Sequence, residues 1–95
     1  MNALERGPAR VALIRERLSA ALAPIALDVR DDSARHAGHE GARDGRGHFG
    51  VRVVSAAFTG KAPLARHRLV YAALGDLMHT DIHALAIEAK APDEN

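Results

Sequence analysis

FGVRVVSAAFTGKAPLARHRLVYAALGDLMHTDIHALAIEAK, residues 49–90, carries the pattern that decides the fold. Phe49, Val51 and Val53 alternate with smaller or polar residues, as in a strand with one buried face. Ser55 to Pro63 is a turn-rich connection with an extra helical turn expected near Gly60, and Pro63 can open a helix. Val70, Tyr71, Leu74, Leu77 and Met78 then recur at helical spacing and predict one apolar stripe. From Ile82 to Lys90 the period returns to two. His83, Leu85 and Ile87 are expected on one face, and Ala84, Ala86 and Glu88 on the other. A strand–helix–strand crossover places its two strands parallel and is right-handed in nearly all proteins.

Upstream, Val11, Ile14, Leu18 and Leu22 predict a helix over about Pro8–Ala23, with Arg10, Arg15, Glu16 and Arg17 mostly on its outer face. Pro8 suits a first turn and Pro24 ends the run. Ile25, Leu27 and Val29 alternate as a second half-buried strand. Asp31 to Gly47 has the glycines and charges of a loop and no apolar period; its length of roughly 17 residues is characteristic of functional or mobile connections. Pro92 onward reads as a polar tail. The expected order is αββ(α)αβ, an α/β (α+β) single domain over residues 1–95 with its core at about 8–91. Helices should cover one face of a three-stranded mixed sheet.

Composition narrows the function. The 95 residues include no cysteine, which excludes disulfides, a thiol nucleophile and a thiolate-only metal site from this chain. Aromatics are 3%, so few large side chains are available to wall a deep substrate cavity. The formal net charge of +1 lacks the bulk Lys/Arg excess of a protein that binds nucleic acid chiefly through phosphates. There is no membrane-length apolar run, and the charged start MNALERGPAR does not resemble a secretory leader. A bacterial-type cytoplasmic location is expected.

Six histidines are the distinctive chemistry. His36 and His39 lie in the long loop, and parallel strands would bring that loop to the sheet end that carries His83 and His48. His83 reads either as an edge-of-core histidine or as a metal ligand that the loop histidines can join. His48, His67 and His79 read as structural. Lys61, Arg66 and Arg68 form a local basic patch; Arg66 and Arg68 can bind an anion near a helix N-terminus or pair with Asp76 or Asp81. No P-loop, dinucleotide fingerprint or oriented nucleophile is present, so no enzymatic activity is expected.

Several spaced motifs together resemble the BolA-like proteins over about Val11 to Pro92. They are Leu27-Asp28-Val29 through Asp32-Ser33, His48-Phe49, Val53-Val54-Ser55, Phe58-x-Gly60, Arg66-His67-Arg68-x-Val70-Tyr71 and Ile82-His83-Ala84-Leu85. The resemblance implies a KH-like fold of the class II type. It also implies a heterodimer with a monothiol (CGFS) glutaredoxin that shares a [2Fe–2S] cluster, with the glutaredoxin cysteine and glutathione on one side. On this chain it assigns the ligands to His83 and to a loop residue falling on His36, with His39 as the alternative. The implied role is cluster maturation, trafficking or iron regulation. No cluster is expected to be held tightly by the chain alone, and the free chain is expected as a monomer or weak homodimer. The alternative is a DNA-binding transcriptional regulator using Lys61, Arg66 and Arg68, although Gly60-Lys61-Ala62-Pro63 has one glycine where KH domains carry G-x-x-G.

Overall fold

Each strand of the expected order forms, and the middle one organises the rest. A computed structural model describes residues 3–33 and 45–94, with side chains from Arg6 onward. The elements are α1 (Ala3–Leu22), β1 (Ala26–Asp31), β2 (Gly47–Val54), a 3-10 turn (Ala56–Phe58), α2 (Pro63–Leu74), α3 (Leu77–Thr80), β3 (Ile82–Lys90) and a last 3-10 turn (Pro92–Glu94). The sheet order is β1-β2-β3. β1 pairs antiparallel to β2 from Ala26 opposite Val54 to Asp31 opposite Phe49, and β3 runs parallel to β2. The βαβ pattern predicts that parallel pairing, because antiparallel strands need no crossover.

The core is aliphatic, with two phenylalanines as its large anchors. Phe49, Val51 and Val53 of β2 meet Ile14, Leu18 and Leu22 of α1, Val70 and Leu74 of α2, and Phe58 of the first 3-10 turn. Ser55 stitches three elements at one end. Its Oγ donates to Leu22 O (2.6 Å), accepts from Ala57 N (3.1 Å), and its backbone N donates to Lys90 O (2.9 Å).

Several sequence expectations are corrected. Helix α1 begins at Ala3, so Pro8 lies inside it; its ring fixes a helical φ and removes only one donor near the helix start. The α1 arginines do not all face outward. Arg10 Nε pairs with Asp81 Oδ1 at 3.0 Å, and Arg17 Nη1 reaches Leu74 O and Asp76 Oδ1. Ile25 precedes β1 and is 71% exposed. Asp31 and Gly47 belong to strands rather than to the loop. The helix after Pro63 stops at Leu74, where Gly75 takes φ +54°, and Leu77 to Thr80 form a separate turn. Tyr71 leaves the expected apolar stripe and is exposed, while Val70, Leu74 and Leu77 stay buried.

The chain end is not a loose tail. Arg66 forks onto both carboxylate oxygens of Glu94, and it also donates to Lys61 O (2.7 Å) and Ala89 O (3.2 Å). Ala91 N donates to the same carboxylate (3.0 Å), and Ala91 is buried. On the opposite outer strand, Arg15 Nη1 donates to Leu27 O at 3.3 Å. These two carbonyls belong to strand positions that alternate with those bonded to β2: Asp32 N donates to His48 O, and Ser55 N to Lys90 O.

The Arg66 guanidinium, followed by the Ala91 amide, holds the Glu94 carboxyl at about 2. A carboxyl depressed from its ordinary value stabilises the fold above that value, and the contribution disappears as pH falls through about 2. Thermal unfolding of wild type and Glu94→Gln should therefore differ at neutral pH and converge near pH 2. An unchanged gap in acid would show that the latch does not depend on this charge.

Candidate functional site

Four chain segments meet at the end of the sheet where β2 and β3 begin, and a register shift determines which side chains they present. Gly47 lies opposite Ile82, but His48 lies opposite Ala84, so His83 is the extra residue of a β-bulge. Such an insertion offsets the two-residue period and re-aims a side chain. Ile82 therefore fills the core at 0% exposure, Leu85 and Ile87 pack against it, and His83 is exposed. The expectation that His83 shares a face with Leu85 and Ile87 is thus corrected.

His83 is turned instead towards His48. The two ring centroids are 5.2 Å apart at 50°, and His48 is buried to 8% exposure. Arg46 Nη2 lies 3.2 Å from His83 Nδ1. A guanidinium can only donate, so Nδ1 is the acceptor and this contact selects the neutral tautomer with its proton on Nε2.

The backbone beneath is fixed by the Asp31-Asp32-Ser33 segment. Ser33 N donates to Asp31 Oδ1 (2.9 Å), His48 N donates to Ser33 Oγ (3.0 Å) and Asp32 N donates to His48 O (2.7 Å). Gly47 is required by close approach, since a Cβ there would sit 2.6 Å from the Phe49 ring and 2.8 Å from Ser33 Oγ. Gly47 N also donates to Asp81 O (2.9 Å). The Asp81 carboxyl is held below its ordinary value by the Thr80 hydroxyl and then by Arg10, so it stays ionised as the anchor of that pair.

His36 and His39 lie outside the described residues. Among the described residues no group of three His, Asp or Glu side chains is arranged to hold a metal ion. Of the basic patch, Lys61 and Arg68 are exposed, whereas Arg66 is spent on Glu94 and two carbonyls rather than on Asp76 or Asp81. His67 is half-buried, and His79 lies in the last turn of α3. Sequence reasoning places His48 and His83 at one sheet end, as found, but does not reach their ring-to-ring contact or the donor Arg46, which have no local signal. Two cavities lined by described residues at this end hold about 180 and 280 Å³, below the usual range of small-molecule sites.

Comparison with known proteins gives consistent results. A family model described as BolA-like protein matches residues 18–94. The SufE-like protein 1, chloroplastic/mitochondrial, of Arabidopsis thaliana is 48% identical over 86 residues, covering 85% of this chain and 23% of that protein. Human BolA-like protein 1 is 46% identical over 86 residues, covering 90% of this chain and 60% of its own length. The chain therefore spans only part of the curated relatives it matches. The solved BolA domain of SufE1 from Arabidopsis thaliana superposes with a TM-score of 0.81 at 45% identity, covering 92% of this chain and 96% of that domain.

Proposed function

Since the chain belongs to the BolA-like family, we propose that it is a non-enzymatic partner of a monothiol glutaredoxin. In this reading the two proteins share a [2Fe–2S] cluster, carried as cargo for iron–sulfur cluster maturation, trafficking or iron regulation. The observation that carries the reading is the bulge that takes His83 out of the core and exposes its imidazole at the sheet end. A cysteine-free chain can offer only nitrogen and oxygen donors, and a neutral exposed imidazole suits a borderline metal.

His83 and a loop imidazole, His36 or its alternative His39, would hold the cluster from this side, with the glutaredoxin cysteine and glutathione opposite. Imidazole in place of thiolate removes negative charge from such a cluster and raises its potential. Before either His83 nitrogen can ligate, Arg46 must let go. Ligation through Nδ1 uses the lone pair that Arg46 occupies. Ligation through Nε2 moves the proton to Nδ1, which then cannot accept from a guanidinium. His48, buried beneath, limits the rotation of the His83 ring from one side.

The test is anaerobic reconstitution with a monothiol glutaredoxin and glutathione, read by visible absorption and circular dichroism. Wild type should give a spectrum distinct from that of the glutaredoxin homodimer, and His83→Ala should change or abolish it. If the spectrum stays that of glutaredoxin alone with either chain, the shared-cluster reading fails. The remaining reading is then DNA binding through exposed Lys61 and Arg68. Among the described residues no helix is long and apolar enough to cross a membrane.

A further inference from the structure

Asp81 is the last residue before β3, and each of its polar atoms is engaged. Within its own turn, Asp81 N donates to Leu77 O (2.9 Å) and Oδ2 accepts from Thr80 Oγ1 (2.7 Å). Its carbonyl accepts from Gly47 N (2.9 Å), the first residue of β2, and Oδ1 accepts from Arg10 Nε (3.0 Å). Of these four partners, Arg10 is the one supplied by α1, 71 positions away in the chain. The two side chains are 14% and 25% exposed, so water screens them less than a pair on the open surface. Helix α1 is itself packed on the sheet through Ile14, Leu18 and Leu22, which gives Arg10 a fixed base. The bonds of Asp81 bear directly on the bulge that follows it. A bulge carries one residue too many against its partner strand, and moving it by one position exchanges the faces of its neighbours. Buried Ile82 and tethered Asp81 together bracket it on the side where β3 begins.

We infer that Arg10 is a positioning residue for His83. Its hydrogen bond goes to Asp81, two residues earlier on the chain, rather than to either imidazole. With that guanidinium in place, the Asp81 carbonyl stays opposite Gly47 N and Ile82 stays in the core. His83 is then the residue left over to face out beside His48. Without it, the Gly47 amide loses a fixed acceptor, and the His83 ring samples places other than the one 5.2 Å from His48. The tether is a property of this chain alone; only its use, holding a ligand towards iron, rests on the shared-cluster reading. Arg17 supplies the comparison. It too reaches out from α1, but to Leu74 O (3.1 Å) and Asp76 Oδ1 (3.2 Å), where α2 ends, and its hydrogen bonds involve neither β2 nor β3.

The experiment first uses the full ¹⁵N-labelled chain with no iron and no glutaredoxin present. Amide exchange at Gly47 is read against that of Ser55, whose N donates to Lys90 O at the far end of the sheet. In Arg10→Gln the Gly47 amide should exchange about tenfold faster relative to Ser55, the scale of one charge-assisted hydrogen bond. The nuclear Overhauser contact between the His48 and His83 rings should weaken with it. Arg10→Lys keeps the charge without the planar fork and should fall between wild type and Arg10→Gln. It carries the same test if Arg10→Gln does not fold. Arg17→Gln should leave both readouts as in wild type. Unchanged Gly47 protection and ring contact in the Arg10 variants overturn the inference, as does an equal effect from Arg17→Gln, which would mean general loosening of α1. The same variants then enter the reconstitution with glutaredoxin and glutathione. A circular dichroism spectrum altered by Arg10→Gln and not by Arg17→Gln supports the positioning of the ligand, and a spectrum identical to wild type in both overturns it. Failure of the wild-type chain to form a shared cluster sinks the proposed function, while the tether is still judged on the iron-free chain.

Discussion

Phe58→Ala should remove about 3–5 kcal/mol of folding stability, the usual cost of emptying a buried phenylalanine site. Phe58 is fully buried, and its neighbours come from both helical and strand elements. The chain has two phenylalanines and one tyrosine, and Tyr71 is exposed, so Phe49 and Phe58 are the large rings in the core. Small aliphatic neighbours cannot easily swing in to fill the space. For a domain whose total stability is on the order of 5–15 kcal/mol, the loss is a large fraction. Urea unfolding should show a lower midpoint with an unchanged slope. A loss below about 1 kcal/mol would mean that Phe58 does not anchor the core as described.

Ser55→Ala is the second large effect, with an expected loss of about 2–4 kcal/mol, because two buried groups lose their partner together. The substitution leaves the Leu22 carbonyl at the end of α1 and the Ala57 amide without the Ser55 hydroxyl, in a site where Ser55 is 1% exposed. An alanine side chain replaces neither bond. The same urea experiment reads the result, and a change within about 0.5 kcal/mol would assign Ser55 the role of an ordinary surface residue. Ser55 caps one short 3-10 turn and Phe58 ends it, so the double variant should fall short of the summed losses.

The two residues also mark where sequence reading succeeds. Alternation in β2, Pro63 at a helix start and the return to alternation after Ile82 suffice for the βαβ unit and the parallel pairing of β3. Periodicity assigns faces only while register is regular. One extra residue at His83 shifts that assignment, and the shift depends on which residue of β2 stands opposite. Long-range partners are equally hidden. Arg66 reads as part of a basic patch, open to an anion or to Asp76 or Asp81, until Glu94, in what reads as a polar tail, closes on it. Arg10 reads as an outer-face residue until Asp81 meets it. Gly75 breaks the helix, whereas the apolar spacing of Leu77 and Met78 predicts that it continues. Of the candidate ligands, the sequence predicts the place of His83 at the sheet end but not its orientation, and the loop histidines fall outside the described residues.

The helix arginines that reach the two outer strands bear on how this chain meets other molecules. A three-stranded sheet has two open margins, each able to template a further strand from a neighbour or a partner. Arg15 covers Leu27 O on one margin, and Arg66 covers Ala89 O on the other, where Glu94 holds it in place. An incoming strand would have to strip a guanidinium from its carbonyl before it could form its own ladder there. Both margins therefore resist the edge-to-edge growth that leads to fibres and accidental dimers. At the end of the sheet the guanidinium to be displaced is that of Arg46, which rests on the His83 ring rather than on a strand carbonyl.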